Sequence, residues 1–294
     1  MKELTGTGVA LVTPFNEKGD VDYPALEKLV NFQIDNKIDY LVILGTTGEP
    51  ATLSNNEKEK VIQTIITTNN NRLPLVIGIG GNNTKQVIET IKNTDLTPFT
   101  AILSVSPYYN KPTQEGIYQH FKAISKSTDK PIILYNVPHR TGQNVTPETI
   151  LRLAKDCKNI IAVKDAAGDI NQTFSLLKNK PENFMVISGE DGLGLTSVLA
   201  GGSGVISVIG QAMPEEFTKM VNLGLQNKAK EAYKIQFQLA NLTSLIFKEG
   251  NPAGVKCILK HKNITGKMVR LPLVPASKEL ELAIVEEVEK MKNV

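Results

Sequence analysis

Eight short runs rich in Val, Ile and Leu, separated by stretches with helical periodicity, constrain this chain more than any other feature. They fall at 8–13, 40–44, 75–79, 101–106, 132–136, 160–164, 184–188 and 204–208. Each is continuously apolar rather than alternating, the pattern of parallel strands buried on both faces. Between them, 23–36 places Leu26, Leu29, Val30 and Ile34 on one helical face, 57–69 does the same with Val61, Ile62, Ile65 and Ile66, and 86–93 follows Thr84. Thr146 before Pro147 and Glu148 predicts a capped helix with proline at its first position. Strand–helix alternation predicts parallel pairing through right-handed crossovers.

An open doubly wound sheet and a closed barrel both use this pattern. Eight units within roughly the first 220 residues favour closure, since the closed fold takes about 250 residues. No Gly-x-Gly-x-x-Gly turn follows the first run, as a dinucleotide site would want. The expected fold class is therefore α/β, a TIM (β/α)8 barrel. Helical segments at 214–248, 252–261 and 277–292 exceed what the last barrel helix needs. We read 1–224 as the barrel carrying the active site and 225–294 as a C-terminal helical region packed on it, without a linker.

Composition narrows the function classes. The net charge is +3, with no basic block interleaved with aromatics, so no nucleic-acid partner is expected. No apolar run approaches the ~20 residues that cross a bilayer, and 9–12 before Pro14 is too short for a secretory core. A cytoplasmic, non-membrane protein is expected. Cys157 and Cys257 form neither a disulfide framework nor a zinc motif. His120, His139 and His261 lie far apart without a ligand motif, so the residues leave a metal site open but give it no support.

In such barrels the active site lies at the carboxyl ends of the strands. Lys164 ends the sixth run after Ile160-Ile161-Ala162-Val163, which should deliver its amine to the barrel mouth. The plain alternative is a surface lysine paired with Asp165. An amine attacks only when uncharged, and a free lysine with pKa ~10.4 is uncharged about once in a few thousand molecules at pH 7. Desolvation in an apolar interior lifts that fraction. Thr46 and Thr47 stand between Gly45 and Gly48, where backbone amides can approach a carboxylate, although the same run also makes a plain tight turn. Tyr135 ends a buried strand and needs a partner for its phenol; core packing with a wet tip is the alternative. Tyr108 and Tyr109 suit a site or an interface. Arg140 is one of four arginines, with Arg72, Arg152 and Arg270, and its planar fork suits a carboxylate. Amine, phenols, hydroxyls and arginine on one rim suit carbonyl chemistry through an imine and enamine.

The ordered runs Gly45-Thr46-Thr47-Gly48-Glu49, Pro107-Tyr108-Tyr109-Asn110-Lys111-Pro112, Tyr135-Asn136-Val137-Pro138-His139-Arg140-Thr141-Gly142 and Val163-Lys164-Asp165 resemble the dihydrodipicolinate synthase family. The similarity extends from Gly8 to Pro272. It implies condensation of pyruvate with L-aspartate 4-semialdehyde, with Lys164 forming the imine. It implies a proton relay of Tyr135, Thr46 and Tyr109, the last from a neighbouring subunit. Thr47 would hold the pyruvate carboxylate, Arg140 the carboxylate of the semialdehyde, and Gly189 and Ile206 would line the pocket. No cofactor and a homotetramer are implied. At the family's lysine-inhibition site, Tyr108 and Asn82 are kept. Gln86 replaces an acidic residue, and Asn55 and Lys58 replace a histidine pair. A neutral amide and an added cation weaken binding of another cation, so weak or absent lysine inhibition is expected.

Two rival readings stand beside this one. N-acetylneuraminate lyase and keto-deoxy sugar acid aldolases share fold and lysine, but usually show Gly-Ser-Thr-Gly-Glu at the second strand and lack the Arg-Thr-Gly run. Thr46 and Arg140 stand on the synthase side. The other reading is a barrel that only binds, with Lys164 inert.

Overall fold

The computed structural model describes residues 2–291. Eight parallel strands, β1 (Gly6–Ala10), β2 (Tyr40–Ile43), β3 (Leu75–Gly78), β4 (Ala101–Val105), β5 (Ile132–Asn136), β6 (Ile160–Asp165), β7 (Met185–Ser188) and β8 (Gly204–Ser207), close in sequence order into a barrel, β8 pairing with β1. Helices α1 (Tyr23–Asp35), α2 (Asn55–Asn69), α3 (Thr84–Asn93), α4 (Gln114–Ser125), α5 (Pro138–Thr141), α6 (Pro147–Asp156), α7 (Ile170–Asn179), α8 (Gly194–Leu199) and α9 (Pro214–Leu225) fall between and after the strands. Then come α10 (Ala229–Phe247), α11 (Ala253–His261) and α12 (Lys278–Met291). Among the described residues no helix is long and apolar enough to cross a membrane.

Successive side chains of a strand point to opposite faces, and here both faces are apolar. Ala10, Tyr40, Val42, Val76, Leu103, Ile133, Ala162, Ile187 and Ile206 form one buried cluster inside the barrel. Their neighbours Val9, Leu41, Ile77, Ile102, Leu134, Val163 and Val205 pack outward against Leu26, Leu29, Val30, Val61 and Ile65 of the helices. This double burial is why the strands read as unbroken apolar runs. Tyr40 fills the floor, and Gly8 makes room for it: a Cβ there would lie 2.2 Å from the tyrosine ring.

Four expectations need correction. The first strand is Gly6–Ala10, not 8–13. The Val12 amide donates to Gln211 Oε1 at 2.9 Å instead of to a neighbouring strand, and Gly6 donates to Ser203 O at 3.0 Å, extending the pairing at the other end. The helical stretch 214–248 is two helices, broken at Asn227, whose φ of 59° is left-handed. Thr146 does occupy the N-cap of α6, but its side chain makes no capping bond. The expected last helix, 277–292, is Lys278–Met291, and Lys292 lies outside the described residues.

Candidate active site

Ala162 faces the barrel interior, and two residues further along β6 the Lys164 side chain faces the same way. Lys164 is 5% exposed. Its Nζ lies 4.3 Å from the centre of the Tyr135 ring, on the strand position directly paired with it. The surface pairing with Asp165 is overturned. That carboxylate is buried, and its Oδ1 accepts instead from Asn136 Nδ2 at 2.8 Å and Gln172 Nε2 at 3.0 Å. Burial pushes the Asp165 carboxyl up, against the pull of those two donors. Gly189, just past β7, completes the lysine's surroundings: a Cβ there would lie 2.9 Å from Lys164 Cε and 2.7 Å from Ala166 Cβ. Ile206 is fully buried on β8, paired with Gly8 of β1.

After β2 the chain tightens into two single 3-10 turns, Thr46–Gly48 and Pro50–Thr52, joined by Glu49 at φ 52°. Thr47 is buried, and its hydroxyl accepts from Asn251 Nδ2 at 2.9 Å. Thr13 Oγ1 donates to the Gly48 carbonyl at 2.7 Å. Glu49 turns inward to a buried ion pair with Lys256 of α11 at 2.7 Å. Burial pushes the Lys256 ammonium down to about 8, against the opposing pull of Glu49.

Arg140 lies in the short α5 and is exposed. Glu190, half-buried beside Gly189, has its carboxyl pushed up to about 7 by burial and by Asp191, against the attraction of Lys164 and Arg140. Asp191 is fully enclosed: Ser207 Oγ donates to it at 2.6 Å and the Ile209 amide at 2.9 Å, bracing the end of β8. Tyr109 is 88% exposed at φ 72°, and among the described residues it makes no hydrogen bond to Tyr135 or Thr46 within this chain. Asn82 Nδ2 donates to the Tyr108 carbonyl at 3.2 Å, so those two meet. Gln86 is exposed in the first turn of α3. Asn55 is exposed at the start of α2, and Lys58 is half-buried one turn further on.

The dihydrodipicolinate synthetase family model matches residues 3–291. The chain belongs to that family. Among curated members, 4-hydroxy-tetrahydrodipicolinate synthase of Flavobacterium psychrophilum is 58% identical over 280 residues, covering 95% of this chain and 96% of the relative. The protein of that name from Fervidobacterium nodosum is 42% identical and covers 99% of both. Solved structures agree. A monomeric dihydrodipicolinate synthase variant superposes with a TM-score of 0.96 at 36% identity, covering 99% of this chain and 98% of its own. Dihydrodipicolinate synthase of Aquifex aeolicus gives 0.94 at 37% identity over 98% of each chain.

The structure brings Lys164, Tyr135 and Gly189 into contact or register, and sets the threonine turn, Arg140 and Ile206 on the same family barrel. Sequence reasoning missed Glu190, Asp191, Asn251 and the Glu49–Lys256 pair. Two adjacent acids directly after a buried strand were a readable signal for the first two. Nothing local to 251 or 256 pointed to residues about two hundred positions earlier.

Proposed function

We propose that this member of the family is a 4-hydroxy-tetrahydrodipicolinate synthase, a carbon–oxygen lyase that condenses pyruvate with L-aspartate 4-semialdehyde on the route to diaminopimelate and lysine. Lys164 Nζ attacks the ketone carbon of pyruvate, and loss of water leaves an imine. Loss of a methyl proton gives the enamine, whose carbon attacks the aldehyde of the second substrate. The amine of that substrate then displaces the lysine and closes the ring. The imine is itself the electron sink, so the sequence calls on no metal or organic cofactor.

In this reading Tyr135 and Thr46, with Tyr109 of a neighbouring subunit, move the protons. Thr47 holds the carboxylate of pyruvate, Arg140 that of the semialdehyde, and Gly189 and Ile206 shape the pocket. Tyr108, Asn82, Gln86, Asn55 and Lys58 mark the position of a lysine site that binds its cation weakly. We place the enzyme in the cytoplasm as a homotetramer, residues 1–224 forming the barrel and 225–294 the packed helical region.

The observation that supports the reading most is the buried amine of Lys164 facing inward against the Tyr135 ring. Incubation with pyruvate and borohydride, followed by peptide mapping by mass spectrometry, tests it. The expected adduct lies on Lys164 and is lost in Lys164→Ala. Adduct on another residue, or none, would overturn the proposal. Turnover of sugar acids in place of the semialdehyde would favour the aldolase or sialic-acid lyase reading.

A further inference from the structure

Glu49 is a non-glycine residue in the left-handed region, at the joint between the turn that carries Thr46 and Thr47 and the next one. Its amide donates to Thr46 O at 3.1 Å, and its carbonyl accepts from the Thr52 amide at 3.0 Å. Such a conformation persists only where surroundings over-determine it, and here they do. The Glu49 side chain is 2% exposed and that of Lys256 0%. Lys256 Nζ donates to Glu49 Oε1 at 2.7 Å, to Thr13 O at 2.8 Å and to Met268 O at 2.7 Å, so all three of its protons are placed. The second carboxylate oxygen accepts from the Arg270 amide at 3.0 Å. Phe15 lies beneath both cations, 4.5 Å from each.

A buried ion pair is weak evidence for stability, because desolvating both charges offsets their attraction and apolar replacements of equal volume often do as well. What it supplies is a fixed geometry. Three of the four tethers on this turn come from beyond β8: Lys256, the Arg270 amide and Asn251, the last reaching the Thr47 hydroxyl. We infer that Lys256 and Glu49 are positioning residues for keto-acid binding: the buried pair sets the backbone of the turn that aims Thr47 at the carboxylate of pyruvate. The helical region after the barrel is thereby part of the binding apparatus. This rests on the assignment of Thr47 to that carboxylate.

The test uses the full-length enzyme, with Lys256→Met and Glu49→Gln. Both variants should raise the KM for pyruvate, about tenfold or more for Lys256→Met and less for the isosteric amide. The pyruvate dependence of borohydride trapping on Lys164 should shift in parallel. The KM for the semialdehyde should stay within about twofold of wild type, a split that general loosening of the fold does not produce. A folded Lys256→Met enzyme with wild-type pyruvate dependence, or one in which both KM values rise together, would overturn the inference. If Lys256→Met does not fold, Glu49→Gln decides alone, since it keeps the volume and removes the charge; an unchanged pyruvate KM then refutes the positioning role. Failure of the wild-type enzyme to be trapped by pyruvate defeats the functional reading itself and this inference with it. A trapped wild type with unshifted variants defeats only this inference.

Discussion

A methyl group at position 189 would collide with both Lys164 Cε, at 2.9 Å, and Ala166 Cβ, at 2.7 Å. The strand behind Ala166 cannot yield easily, so the lysine must swing. Overpacking of this kind costs about 1–3 kcal/mol, while an error of about 1 Å in a reacting group can cost about a hundredfold in rate. Gly189→Ala should therefore lose far more activity than stability, as turnover and thermal melting measured side by side would show. Glu190 offers a pH test. Its carboxyl ionises near 7 in the folded protein, above its ordinary value of 4.5. The unfolded chain thus releases this proton first, and stability falls as pH rises from about 4.5 to 7. Glu190→Gln removes that cost, so its melting temperature should exceed wild type at pH 8 and match it near pH 4. A constant difference across that range would refute the assignment. The inward lysine was readable because strand alternation fixes its direction. The place of Glu190 after β7 was readable too, but the elevation of its carboxyl was not, because burial depends on which loops cover it.

Helix α2 shows how much an element owes to its first turn. Ser54 Oγ accepts from the Glu57 amide at 3.3 Å, and Glu57 Oε2 accepts in return from the Ser54 amide at 2.8 Å. This capping box directly follows the threonine and Glu49 turns. Glu57 also binds the Arg270 guanidinium at 2.5 Å, and that contact, with the Ser54 amide, holds its carboxyl down at about 2. Loss of such a cap costs about 1 kcal/mol. Ser54→Ala should lower the urea midpoint by that energy divided by the slope of the transition, without altering the slope itself. Strands and helices were legible here because the strands are unbroken apolar runs and the helices carry apolar residues at helical spacing. Their ends were less so. Leu11 and Val12 are as apolar as any strand residue, yet Val12 leaves the sheet because Gln211, far along the chain, takes its amide. Asn227 breaks 214–248 by adopting a left-handed φ that no hydrophobic pattern records.

At the scale of the whole molecule, barrel closure followed from counting eight apolar runs, whereas contacts between distant ends did not. Glu57 and Arg270 are 213 positions apart, Thr47 and Asn251 204, and only folding makes them neighbours. The proposed lysine site draws on separate parts of the chain: Asn82 and Gln86 after β3, Tyr108 after β4, and Asn55 and Lys58 of α2. Gln86 and Asn55 are uncharged and Lys58 carries the cation's own sign, so lysine should not inhibit below about millimolar concentrations, the affinity expected once charge attraction is missing. An inhibition curve with a lower midpoint would refute it. The span of 207 positions between Glu49 and Lys256 has a consequence for biogenesis. Ribosomes emit a chain from its N-terminal side, so Lys164 leaves the exit tunnel well before Lys256, whose ammonium holds Glu49 beside the threonine turn. If the pair positions the turn as inferred, catalytic competence should arrive only once Lys256 and Arg270 have emerged. Polypeptides abandoned after β8 would hold all eight strands but lack Asn251, Lys256 and Arg270, and with them three tethers of the threonine turn.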